Sequence, residues 1–177
     1  MRASDISPEF PLLGFLSQAS SHGYELHRRL EEELQGIWSL SQSQVYNLLK
    51  RLEAQGDVQG EVQQQKAAPA KRLLALTPAG RKRFERWLRE PTPGSVRAVR
   101  IEFLTRLYFA RTQDAQFTQD LIDDQKRSIT LDVQRLQQIY SEIPGSQLLN
   151  QLSLQLRTRQ LKSCLAWLED CRSSLEI

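Results

Sequence analysis

Apolar positions along this chain recur with two different periods, and the changes of period outline its elements. Residues 9 to 19 crowd Phe10, Leu12, Leu13, Phe15 and Leu16 together, which predicts a short buried helix. Ser20, Ser21 and His22-Gly23 interrupt it. From 23 to 34, Leu26, Leu30 and Leu34 recur every four residues as one stripe of a second helix, with Gly36 as its stop. A third helix is expected from 42 to 55, burying Val45, Leu48, Leu49 and Leu52, capped by Ser39 or Ser41 and ended by Gly56. The period then drops to two. Val58, Gly60 and Val62 alternate with polar residues, and so, less cleanly, does the stretch Arg72 to Thr77. Two short strands joined by a polar loop from Gln63 to Ala70 fit this, with Pro69 in the loop. Thr77-Pro78 opens a fourth helix, threonine as cap and proline in the first turn, with Phe84, Trp87 and Leu88 on its apolar face.

Pro91-Thr92-Pro93-Gly94 breaks the pattern, and all that follows reads as helix. Residues 95 to 111 stack Val96, Val99, Phe103 and Leu107. Residues 114 to 143 place Ile122, Ile129, Val133, Leu136, Tyr140 and Ile143 in a heptad repeat that Lys126 interrupts. A last helix, 146 to 175, repeats Leu154, Leu161, Leu165, Leu168 and Leu175. The expected organisation is therefore mostly α: a winged helix-turn-helix with a two-stranded wing over residues 1–90 and a helical domain over 95–177. Such long seams need covering. Either they pack within one chain, or, as expected here, a second copy covers them, with Phe103, Leu107, Ile122, Ile129, Leu136, Leu161, Leu165 and Leu168 as the dimerisation residues.

Composition narrows the class. The 177 residues are 40% hydrophobic and 25% charged, ordinary for a globular chain, and no stretch reaches the ~20 apolar residues of a membrane span. The N-terminus lacks the pattern of a secretory signal, so a cytoplasmic protein is expected, with no membrane partner. Cys164 and Cys171 lie about 10 Å apart along one helix at ~1.5 Å per residue, too far to bridge each other. With His22 and His27 they make no zinc pattern. No cofactor is expected. No phosphate loop, nucleophile elbow or metal spacing is present, which argues against an enzyme. The net charge of +3 says little, but between Lys66 and Arg89 eight bases meet one acid, Glu85, a density that can neutralise phosphates.

The third helix carries the chemistry. Opposite its buried face lie Ser43, Asn47 and Lys50, flanked by Tyr46 and Arg51. Gln44 lies in the first turn. Asparagine can bond both N6 and N7 of adenine, lysine reaches guanine or a phosphate, and hydroxyls bind phosphate oxygens. Tyr24 stands outside the leucine stripe of the second helix. The wing carries Lys66, Lys71 and Arg72, suited to phosphate or minor-groove contact. Trp38, Trp87 and Trp167 are available to line a pocket for planar effectors, though core or interface is the commoner place for such side chains. The competing reading is a winged-helix module that binds another protein instead of DNA.

Four segments together resemble the PadR family: His22-Gly23-Tyr24-Glu25; Val45-Tyr46 running into Leu49-Lys50-Arg51-Leu52-Glu53; Gly56; and Leu76-Thr77-Pro78-Ala79-Gly80-Arg81. The second half, with Arg100-Ile101-Glu102-Phe103-Leu104 and Leu107-Tyr108-Phe109, resembles the helical domain of the longer members. The resemblance implies a homodimeric regulator, mostly repressing, that binds double-stranded DNA at palindromic operators and is in some members released by a small aromatic effector. It implies DNA contacts for Tyr24, Ser43, Tyr46, Lys50 and Lys71. The strand Arg72-Leu73-Leu74-Ala75-Leu76 departs from it by lacking the aromatics common in relatives.

Overall fold

The computed structural model describes residues 6–65 and 68–175, without the side chains of 63–71. It forms two compact units, Ile6–Glu90 and the chain from Pro91 onward.

The first unit runs α1 (Glu9–Gln18), β1 (Ser21–His22), α2 (Gly23–Glu33), α3 (Gln42–Ala54), β2 (Val58–Gln65), β3 (Ala68–Leu76) and α4 (Pro78–Arg89). Leu12, Leu13, Phe15, Leu26, Leu30, Val45, Leu52 and Phe84 form its buried core, so each helix turns its apolar stripe inward. Phe10 stacks on Trp87 at 4.4 Å, which places Trp87 in the core.

Local chemistry sets the ends of these helices. Ser41 Oγ accepts the Gln44 N–H at 3.3 Å while Gln44 Oε1 accepts the Ser41 N–H at 2.8 Å, a reciprocal cap that starts α3. Gly56, at φ +79°, ends it in the left-handed region that a side chain disfavours. Thr77 Oγ1 accepts the Gly80 N–H at 3.1 Å and donates to the Gly56 carbonyl at 2.7 Å, so one hydroxyl starts α4 and holds the chain leaving α3. A Cβ on Gly80 would stand 2.0 Å from the Asp57 carbonyl oxygen. Only glycine allows α4 to pack there.

Two expectations need correction. The wing is longer than the sequence suggested: β2 and β3 pair from Val58↔Leu76 to Gln65↔Ala68, and Pro69 lies within β3. Ladder bonding reaches Gln65 and Ala68, within the segment where a loop was expected. The interruption at Ser21–His22 is a strand, β1, paired antiparallel with β3 through Ser21↔Leu74 and His22↔Leu73. The sheet order is β1-β3-β2.

The second unit holds α5 (Val96–Ala98), a π-helical turn (Val99–Phe103), α6 (Leu104–Arg111), α7 (Ala115–Glu142) and α8 (Leu148–Ser174). The helix expected over 95–111 is thus interrupted by a π-turn. Asp114 Oδ1 accepts the Phe117 N–H at 2.6 Å and caps α7. The heptad seam of α7 packs against α8 of the same chain. Phe103, Leu107, Ile122, Ile129, Leu136, Leu161 and Leu168 are all buried in this one chain, with Leu165 partly buried against them. The need that pointed to a second copy is met internally, and these eight side chains form a core. Tyr140 and Ile143, at the end of the repeat, escape that core. Exposed leucines remain elsewhere on α8, at Leu148, Leu149, Leu152 and Leu156.

Candidate nucleic-acid interface

α2, the turn after it, and α3 form a helix-turn-helix, with the β2–β3 hairpin following as a wing. Val45, Leu48, Leu49 and Leu52 fix the rotation of α3 by burying one side. What that rotation turns outward is polar: Ser43, Tyr46, Asn47 and Lys50 are all exposed. Among the described residues, Asn47 and Lys50 make no side-chain hydrogen bond or ion pair. Their donors are therefore available to a ligand. Ser43 Oγ lies 3.0 Å from Ser41 Oγ, and with the Ser41 hydroxyl as donor the Ser43 O–H is left to donate to a ligand.

Tyr24 and Tyr46 flank this face at 41% and 42% exposure. Tyr24 lies parallel to the His22 ring at 5.9 Å and donates its hydroxyl to Glu25 Oε1 at 3.1 Å. That hydrogen bond to Glu25, with some desolvation, raises the Tyr24 pKa, so the phenol stays protonated with its one O–H committed to Glu25. Glu25 is held below the usual carboxylate range, first by the His22 backbone N–H, 2.9 Å from its Oε2. The His22 ring Nδ1 lies 2.9 Å from the Arg72 carbonyl. A carbonyl only accepts, so Nδ1 carries the proton, and this bond fastens the start of α2 to the wing. A cleft of about 330 Å³ opens among His22, Tyr24, Tyr46, Lys50, Glu53 and Arg72. Gly23 forms part of its floor, where a Cβ would stand 2.8 Å from the Tyr46 ring.

Three residues expected on this face are engaged in the fold. Gln44 spends its side-chain oxygen on the α3 cap. Arg51 Nε bonds Glu9 Oε1 at 2.6 Å, which draws it toward α1. Glu9 is buried and also pairs with Arg83, which in turn pairs with Asp57. Burial opposes the Arg83 charge, but its bonds to Asp57 and Glu9 outweigh that and raise its pKa. A buried carboxylate needs such partners, and no periodicity in the sequence marked Glu9 as one. Arg72 pairs with Glu53 at 2.8 Å yet keeps 55% of its side chain exposed, at the edge of the cleft. Lys66 lies outside the described residues, as does the side chain of Lys71, whose backbone pairs with Gln63 in the wing. Sequence reasoning missed His22 as the link between α2 and β3. Its position beside Gly23 was visible, but its partner lies fifty residues away.

Both parts of the chain have relatives among known proteins. Residues 12–86 match the transcriptional regulator PadR-like family, and residues 99–176 match the family described as virulence activator alpha C-term. The negative transcriptional regulator PadR of Bacillus subtilis is 29% identical over 140 residues, covering 78% of this chain and 75% of that protein. A probable transcriptional regulator of Mycobacterium tuberculosis is 33% identical over 84 residues, covering 48% of this chain and 44% of that one. Among solved structures, that of Bacillus subtilis PadR in complex with operator DNA has a TM-score of 0.46 at 26% identity, covering 94% of this chain and 96% of the other.

Proposed function

Because the chain belongs to the PadR-like family of DNA-binding transcription regulators, we propose that it represses its targets as a homodimer on a palindromic operator and is released by a small aromatic effector. The observation that carries the DNA-reading part is the α3 face. Asn47 and Lys50 are exposed with no partner among the described residues, on a helix whose other side is buried in the core.

In this reading α3 enters the major groove. Asn47 reads a base edge and Lys50 reaches guanine or phosphate. Ser43 and Tyr46 donate to phosphate oxygens, Tyr24 does so by turning its hydroxyl from Glu25 to the phosphate, and Lys66, Lys71 and Arg72 of the wing follow the backbone. Gln44 and Arg51 serve the fold first. The negative regulation assigned to the Bacillus subtilis relative supports repression. A two-fold operator asks for a two-fold protein. The leucines left exposed on α8 (Leu148, Leu149, Leu152 and Leu156) offer the surface a second copy would cover.

Selection of bound sequences from a random duplex pool tests this. The expected product is an inverted repeat with half-site centres ~34–36 Å apart, bound less tightly as salt rises through counterion release. Repeating the selection with phenolic ligands tests release. Failure to enrich any sequence, together with capture of a partner protein, would favour the protein-interaction reading.

A further inference from the structure

The helical unit carries an open cavity of about 410 Å³, walled by Val96, Val99, Leu104 and Trp167 and also lined by Arg100, Gln160, Ser163 and Cys164. Its volume and apolar walls suit a small organic molecule with a flat face against Trp167. One wall is the π-turn, Val99–Phe103, continuing into Leu104. A π-turn carries one residue more than an α-helical turn needs, and such insertions cluster at functional sites.

The other side of the same turn faces the interior. Glu102 is buried there and pairs with Arg106 at 2.6 Å. Arg106, 1% exposed, donates through Nη1 to Thr92 Oγ1 at 2.6 Å. Gln125 Nε2 donates to the Thr92 carbonyl at 3.2 Å. Gly94 packs so close to α7 that a Cβ would stand 1.9 Å from Asp132 Oδ2. The segment Thr92–Gly94 is thus bolted to the helical unit, two residues beyond Glu90, where the winged unit ends. A single buried chain of hydrogen bonds joins the cavity wall to that segment.

We propose that the π-turn is the joint of this regulator: an apolar molecule filling the cavity displaces the turn, and Glu102 and Arg106 pass the displacement to Thr92. This rests on the effector-release reading above and adds where release begins and how it travels. Thr92 and Arg106 are positioning residues, since neither lines the cavity. Coupling of this kind is an energy shared by two sites through a two-state element.

The test uses the full chain with Cys171→Ser, so that only Cys164 reacts, and benzyl methanethiosulfonate as a covalent occupant removable by dithiothreitol. Burial raises the Cys164 thiol pKa, so labelling is done at mildly alkaline pH. Labelling is expected to speed amide hydrogen exchange in peptides spanning 92–106, leave α3 peptides unchanged, and weaken binding to the selected duplex at least tenfold, with reversal by reductant. Thr92→Val is expected to cut that ratio below twofold, and Thr92→Ser, which keeps the hydroxyl, to preserve it. Cys164→Trp fills the cavity without reagent and should reproduce the labelled state. Unchanged exchange in 92–106, or an equal affinity ratio in Thr92→Val, overturns the proposal. Unlabelled protein that binds no duplex overturns the DNA reading instead, while the exchange measurement still decides the joint.

Discussion

α3 and α8 leave opposite chemistry on their exposed faces. Each buries an apolar stripe in its own unit. α3 then presents Ser43, Asn47 and Lys50, which water already satisfies, while α8 presents Leu148, Leu149, Leu152 and Leu156. Donors in water carry no penalty and gain only from a ligand that matches their geometry. Leucines in water give up roughly 1.5–3 kcal/mol each relative to burial. The first face therefore suits a specific polar partner, and the second a broad apolar one. Charge follows the same division. The winged unit uses Glu9, Arg51, Arg83 and Asp57 to tie α1, α3 and α4 together. The helical unit uses one buried pair, Glu102–Arg106, beside the segment that enters it.

The largest effect expected from breaking this division is on stability. Phe103→Ala removes a fully buried ring that meets Trp167 edge-on and should cost ~3–5 kcal/mol, read by chemical denaturation. A loss under about 1 kcal/mol would show that the helical core is not where the structure puts it. Next comes the leucine face. Leu149→Glu with Leu152→Glu should raise the dissociation constant of the proposed dimer at least a hundredfold, about 3 kcal/mol, in sedimentation equilibrium, with helix content unchanged. An unaltered dimer would move the interface off α8.

Third, Asn47→Ala should flatten preference at one operator position by ~1–3 kcal/mol, whereas Lys71→Ala should weaken all duplexes alike and reduce the salt slope by ~0.9. Equal loss on every duplex for Asn47→Ala would remove it from base reading. The smallest effect concerns pH. The Glu25 pKa is lowered from its ordinary 4.5, so its contribution is complete above that value and is lost as pH falls through the folded-state pKa. Glu25→Gln should lower stability slightly at neutral pH, flatten the acid limb below about pH 4.5 and converge with the parent in acid, as read in denaturant titrations at successive pH values.

Much of the outward face of α3 was legible. The spacing of Val45, Leu48, Leu49 and Leu52 fixes which side of α3 is buried, and hence that Asn47 and Lys50 point away. Ser41, Gly56 and Thr77-Pro78 mark their boundaries because capping is local chemistry between residues a few positions apart. The partners of Arg51 and Gln44 were not legible. Arg51 stays exposed on the flank its helical angle gives it, but pairs with Glu9, 42 positions earlier. Gln44 is exposed too, and an exposed position says nothing of a side-chain oxygen folded back on its own backbone.

The sequence by itself determined the succession of helices, the outward chemistry of α3 and the break at residues 91–94, all of which rest on interactions within a few residues. Tertiary structure alone decided that Ser21–His22 would join a sheet, that α8 would cover the α7 seam, and that a π-turn would place Glu102 beneath Arg106 and Thr92. Those outcomes depend on which distant surfaces meet, and periodicity gives the direction of a face without naming what it will touch.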